Sequence, residues 1–183
     1  MAALLSVAET AEAVGSALNQ FLNPVADKSA EITALIAQCF GTSSALRKLR
    51  NAIERCPSPR QRRLIVDDTD DVRQSLEYTF QDVKSVFGGL GRTAERTRAV
   101  YRRVWVDLSN LFYRESGLVH RLEQYRQFLR GLVETLYEGE PRDLDEFDHI
   151  RDCILTILEQ QEDERLADHF EQTSLDEEEQ ASM

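Results

Sequence analysis

Apolar residues recur along this chain in steps of three and four, the repeat of a helix with one buried face. Leu4, Val7, Ala11, Val14, Leu18 and Phe21 predict a first helix, and Asn23-Pro24 ends it because proline pushes its predecessor out of the α region. Ile32, Leu35, Ile36, Cys39, Leu46, Leu49 and Ile53 predict a second helix, with Gly41 inside it and Cys56-Pro57-Ser58-Pro59 as its stop. A third runs from about Arg60 to Phe87 on Ile65, Val72, Leu76, Phe80, Val83 and Phe87, and Gly88-Gly89-Leu90-Gly91 closes it. Tyr101, Val104, Trp105, Leu108, Leu111 and Phe112 mark a fourth, which stops near Ser116-Gly117. Leu118, Leu122, Tyr125, Phe128, Leu129, Leu132 and Leu136 mark a fifth, closed by Glu138-Gly139-Glu140-Pro141. The sixth opens near Asp143, whose carboxylate can cap the free amides at its start, and carries Leu144, Phe147, Ile150, Ile154, Ile157 and Leu158.

Beyond Leu158 the repeat fades. Residues 159–164 are wholly polar, Leu166 and Phe170 recur weakly, and the chain is acidic and expected to be disordered from about Thr173. The expected architecture is all-α. It is an elongated, mostly antiparallel, up-and-down bundle of about six helices over residues 1–160, with an acidic tail over 161–183 that is partly helical and then disordered. Strands have no evident place, since 8 Gly and 4 Pro in 183 residues leave few turns.

Composition narrows the class. A hydrophobic share of 42% excludes wholesale disorder, and a charged share of 30% excludes a membrane-embedded protein. The net charge of -11 is unevenly spread: residues 1–91 carry -1, residues 92–130 carry +5 and residues 131–183 carry -15. Overall acidity disfavours a general nucleic-acid binder. No Lys or Arg precedes the first apolar run, and Glu9 and Glu12 interrupt it, which opposes a secretory signal. Three widely spaced cysteines, Cys39, Cys56 and Cys153, suit reduced thiols, so a cytoplasmic location is expected.

Candidate chemistry is sparse. Gly88-Gly89-Leu90-Gly91-Arg92-Thr93 lacks the lysine of a Walker loop and follows a helix rather than a strand, so it reads as a turn between helices. His149 and Cys153 share a helix face, but two ligands do not make a zinc site. Asp67-Asp68-Thr69-Asp70-Asp71 lacks the glycine and closing glutamate of a calcium loop and reads as a solvated face. Glu146-x-x-His149 is a single pair, whereas a di-metal bundle site needs two. No nucleophile stands in a recognisable context. The expectation is therefore a protein that is not an enzyme, with no metal, no cofactor and no small-molecule substrate.

The basic middle has more content. Arg92, Arg96, Arg98, Arg102, Arg103, Arg114, Arg121, Arg126 and Arg130 are all arginines, the side chain that grips carboxylates and phosphates through paired hydrogen bonds. They form the candidate interaction surface, for a protein partner, a second copy or an anionic membrane. The competing reading pairs them with the acidic sixth helix and tail of the same chain. The structural core is expected from Leu76, Phe80, Val83, Phe87, Tyr101, Trp105, Leu122, Tyr125, Phe128 and Leu129. The first helix is Ala-rich and carries Glu9 and Glu12 without a basic residue, which favours packing in the bundle over entry into a bilayer.

Four stretches occur in a telling order: Ser44-Ala45-Leu46-Arg47, Leu76-Glu77-Tyr78-Thr79-Phe80-Gln81-Asp82-Val83 running to Phe87-Gly88, Tyr101 to Trp105, and Arg121-Leu122-Glu123-Gln124-Tyr125-Arg126-Gln127-Phe128-Leu129. In these, over roughly residues 1–160, the chain resembles the helical N-terminal domains of filamentous-fungal NACHT-type (STAND) and ankyrin-type proteins, the HeLo-like and related groups. The resemblance implies an α-helical signalling or interaction module of the kind used in allorecognition, with no catalytic residue. Some such domains are membrane-active through their first helix, which makes a cell-death effector the alternative expectation. Two departures stand out: the chain ends soon after the bundle, with no nucleotide-binding domain or repeat array, and its first helix is acidic.

Overall fold

The computed structural model describes residues 2–22, 30–88, 103–104, 106–107 and 117–181, with side chains described at all of these but 21, 22, 31, 32, 87, 88 and 168–181. Among the described residues there are helices and no strand, so the fold is all-α. The helices are α1 (Ala2–Leu22), α2 (Ala30–Arg55), α3 (Pro59–Leu64), α4 (Val66–Gly88), α5 (Leu118–Glu138) and α6 (Leu144–Ala181). Most of the expected fourth helix, with Tyr101 and Trp105, lies outside the described residues, as does the side chain of Phe87. Val104, from the same stretch, is buried.

The cross-contacts fix the directions. Glu12 and Gly15 of α1 meet Arg47 and Cys39 of α2, so rising numbers on one helix face falling numbers on the other. Ser75 and Thr79 of α4 meet Tyr125 and Arg121 of α5 in the same opposed sense. Asp68 and Asp82 of α4 face Arg151 and Arg165 of α6, which makes those two helices parallel. Gln38 and Cys56 of α2 meet Arg126 and Leu136 of α5, a parallel pair, so among the described long helices α1 and α2, α4 and α5, and α5 and α6 run antiparallel, a mostly antiparallel bundle.

The apolar stripes meet in one core. Val7, Ala11, Val14 and Leu18 of α1 are buried against α2 and α4. Leu76, Phe80 and Val83 of α4 and Leu122, Tyr125, Phe128 and Leu129 of α5 are all buried, as expected from their spacing. Helix α1 is also tied electrostatically. Glu12 accepts from Arg47 at 3.0 Å and from the Ser43 hydroxyl at 3.0 Å, so this glutamate is a bundle contact.

Two details depart from the expected elements. The helix expected over 60–87 is broken at Ile65, whose backbone (φ -110°, ψ 4°) leaves the helical region. Ser58 caps α3 by accepting from the Gln61 amide at 3.3 Å, and Pro59 sits at the first position, where its missing N–H costs nothing. Helix α3 buries no residue, while Ile65 is buried, so the break lets the chain turn inward. Helix α6 opens as expected, with Asp143 accepting from the Glu146 amide at 3.0 Å. It does not fade at Leu158, however. Gln161 is buried and Arg165 is bound to α4, so the boundary at 160 falls inside an element packed on the bundle.

Helices α5 and α6 approach closely at Gly131. A Cβ there would collide with the Phe147 ring, which instead fills that space, stacked on Phe128 with centroids 4.6 Å apart. The replacement Gly131→Ala is expected to destabilise the protein by about 1–3 kcal/mol through overpacking, although alanine is the better helix former by about 1 kcal/mol. Urea unfolding checks this. Unchanged stability would contradict the close approach, and Phe147→Leu in the same chain should recover part of the loss.

Candidate functional site

Of the nine candidate arginines, four lie among the described residues. Arg92, Arg96, Arg98, Arg102 and Arg114 lie outside the described residues. Arg103 is exposed and faces Asp107 on its own helical turn at 3.9 Å. Arg126 and Arg130 are exposed on α5. Arg121 is a correction: it is only 6% exposed and donates to Thr79 Oγ1 at 3.4 Å, so it belongs to the interior. It lies one turn before Tyr125 on the buried face of α5, and burial pulls its pKa down while Tyr125, Asp82 and Glu164 oppose that shift.

Around Arg121 lies a polar layer that the apolar pattern did not reveal. Ser75 and Thr79 of α4, Tyr125 of α5 and Gln161 of α6 are all buried. Donor counting orders them. Ser75 Oγ donates to Gln161 Oε1 at 2.8 Å, so its 2.7 Å contact with Tyr125 requires the phenol to donate. The Gln161 amide donates to the Ser75 carbonyl at 3.3 Å and to Thr79 Oγ1 at 3.0 Å. Thr79 Oγ1 accepts from Gln161 and Arg121, so its own proton points to Tyr125 Oη, 3.3 Å away. The circuit Tyr125 to Ser75 to Gln161 to Thr79 to Tyr125 is closed and runs one way. The Ser75 carbonyl sets the direction, because a flipped Gln161 would bring two oxygens together.

Two ion pairs bracket the ring. Asp68–Arg151 and Asp82–Arg165 are each 2.7 Å, and in both helices the pairs lie 14 residues apart, about four turns. Arg165 also donates to the Tyr78 carbonyl at 3.2 Å and lies over the Tyr78 ring at 4.2 Å. Of the expected pairing between the basic middle and the acidic sixth helix, the described residues show the pull of Glu164 on Arg121, and α6's own arginines pair with α4. Asp68 and Asp82 are held above the ordinary carboxylate value of 3.8 by burial, against the pull of Arg151 and Arg165. Asp71 is raised by burial too, with Asp67 adding to the rise.

The other candidates hold no reactive constellation. His149 Nε2 and Cys153 Sγ are 4.0 Å apart, and no group of three or more potential metal ligands forms among the described residues. Burial pushes the Cys39 thiol up to about 12, far from a thiolate at neutral pH. No helix among the described residues is long and apolar enough to cross a membrane.

On the outer side, α2 and α5 enclose a groove of about 390 Å³. Ala45, Leu129 and Val133 line its base, and Lys48, Arg126 and Arg130 stand along it with Glu123 as the opposing charge. Arg126 is pre-positioned. Its guanidinium lies where a Cβ on Gly41 would be 2.8 Å away, and it donates to Gln38 Oε1 at 2.7 Å. Comparison of the chain with protein-family models, with curated proteins and with solved structures gives no match.

Two outcomes test the buried layer. Gln161→Leu and Tyr125→Phe should each cost about 1–3 kcal/mol in urea unfolding by orphaning buried partners, and together less than the sum, since both open one circuit. Strict additivity would contradict the closed ring. The raised carboxyls set the pH dependence. The folded state takes up their protons before the unfolded chain does, so these groups add stability as pH falls through their folded values toward 3.8. The urea midpoint should be higher at about pH 4.5 than at about pH 7. A lower midpoint at the acid pH would contradict the assignment.

Proposed function

We propose that the chain is a non-enzymatic helical interaction module that docks an acidic protein segment in the groove between α2 and α5. One observation carries the reading: three cations and a single carboxylate line a groove with an apolar base, on a molecule whose net charge is -11. The apolar base supplies buried contact, and guanidinium groups grip carboxylates through paired hydrogen bonds. Arg126 loses little freedom on binding, because Gly41 and Gln38 already hold it. Such docking needs no reacting group. The role agrees with what the resemblance to fungal helical N-terminal domains implies, a signalling module that works by contact. The burial of α1 and the use of Glu12 within the bundle favour this over a membrane effector that releases its first helix.

The acidic residues 171–183 belong to the same reading, because their negative charge weakens the attraction of the molecule for an acidic ligand at low salt. A glutamate-rich synthetic peptide should bind the full chain at low salt and weaken as salt rises through the range where charges are screened. Removal of residues 171–183 should strengthen that binding, and Arg126→Glu with Arg130→Glu should abolish it. Isothermal titration reads each step. Peptide binding indifferent to the two substitutions would overturn the assignment of the groove.

A further inference from the structure

A second concave site lies at the opposite extreme of polarity, where the start of α1, the end of α2, α3 and the first turn of α4 meet. It encloses about 420 Å³, within the range of about 300–1,000 Å³ typical of small-molecule sites. Leu4, Ile53, Ile65 and Val66 give it aliphatic walls. Val66 is a large aliphatic side chain left 49% exposed. Thr69 also lines the cavity, and its buried hydroxyl has no hydrogen-bond partner among the described residues.

The charges at this cavity are unequal in kind. Arg73 is satisfied by Asp70 at 3.5 Å and Glu77 at 3.1 Å. Arg62 and Arg63, both exposed and both lining the cavity, have no ion-pair partner among the described residues. Two uncompensated guanidiniums beside an aliphatic pocket match a molecule with one anionic end and an apolar body.

We infer that this cavity binds a single-chain amphiphile with an anionic head, taken up as a monomer from solution. The chain lies along Leu4, Ile53, Ile65 and Val66, and the head meets Arg62 and Arg63. The inference is independent of the α2–α5 groove, which shares no lining residue with it.

Decanoate below its aggregation concentration, titrated into the full chain by calorimetry, tests the site. Saturable one-to-one binding with a rise in Tm is expected, because a ligand that binds only the folded state stabilises it. Hexanoate should bind at least about tenfold more weakly, having lost buried methylenes. Decanol, and decanoate with the Arg62→Gln/Arg63→Gln chain, should each lose about tenfold through the missing charge-assisted bonds. The substitution Val66→Glu, at an exposed position that the fold tolerates, should abolish binding while helical circular dichroism is kept. The inference is overturned if decanoate shows no saturable binding, or if both the arginine and Val66 variants bind it unchanged. Binding confined to anionic-lipid vesicles would also overturn it, in favour of a membrane surface.

Discussion

The hydroxyls of Ser75, Thr79 and Tyr125 have no access to water, so each must find its partner inside the bundle. They find it in Gln161 and in one another, and each hydroxyl is used both as donor and as acceptor. An apolar seam between helices tolerates a shift by a turn, since one leucine replaces another at modest cost. A closed polar ring does not, because any shift leaves several buried groups unpaired at about 1–3 kcal/mol each. The ring therefore pins α6 against α4 and α5 at a single register. The Asp68–Arg151 and Asp82–Arg165 pairs, one on either side along α4, are consequences of that register more than its cause. Burial costs both carboxylates more than their arginines return, as the direction of their titration indicates.

That constraint separates the inside of the molecule from its working faces. Arg121, Arg151 and Arg165 are committed to the α4–α5–α6 side, and Arg47 is committed to α1. The cations that line open concavities are instead Lys48, Arg126 and Arg130 beside α2 and α5, and Arg62 and Arg63 at the α3 end. Both concavities combine aliphatic walls with a cationic edge.

Much of the fold was legible from spacing alone. Leu76, Phe80, Val83, Leu122, Tyr125, Phe128 and Leu129 entered the core because apolar side chains at helical spacing have one favourable destination. Gly139 stopped α5 and Asp143 started α6 by local backbone chemistry, and Gly139 takes a left-handed conformation (φ 93°). The break at Ile65 was not legible, since Leu64-Ile65-Val66 holds no glycine or proline to mark it and Ile65 fits the helical repeat on either side. The ring was hidden by residue type rather than by position. Ile150, Ile154, Ile157 and Gln161 follow one another in steps of four, three and four, so Gln161 continues the buried stripe. Arg121 likewise shares a face with Tyr125 four residues on. Counting them as surface because they are polar removed the α6 contact and misplaced one arginine of the interaction surface. The α2–α5 groove escaped for a different reason: it needs Lys48 and Gly41 from one helix and Arg126 and Arg130 from another, and no local pattern joins them.

Amide hydrogen exchange across α6 tests the pinned register most directly. Residues 159–165 carry no apolar side chain, so as a free helical extension they would exchange far faster than the core. The ring predicts that these amides exchange with the global unfolding free energy, together with Ile150, Ile154 and the amides of α4 and α5. Fast exchange of 159–165 beside a protected Ile154 would contradict it and return this segment to the tail.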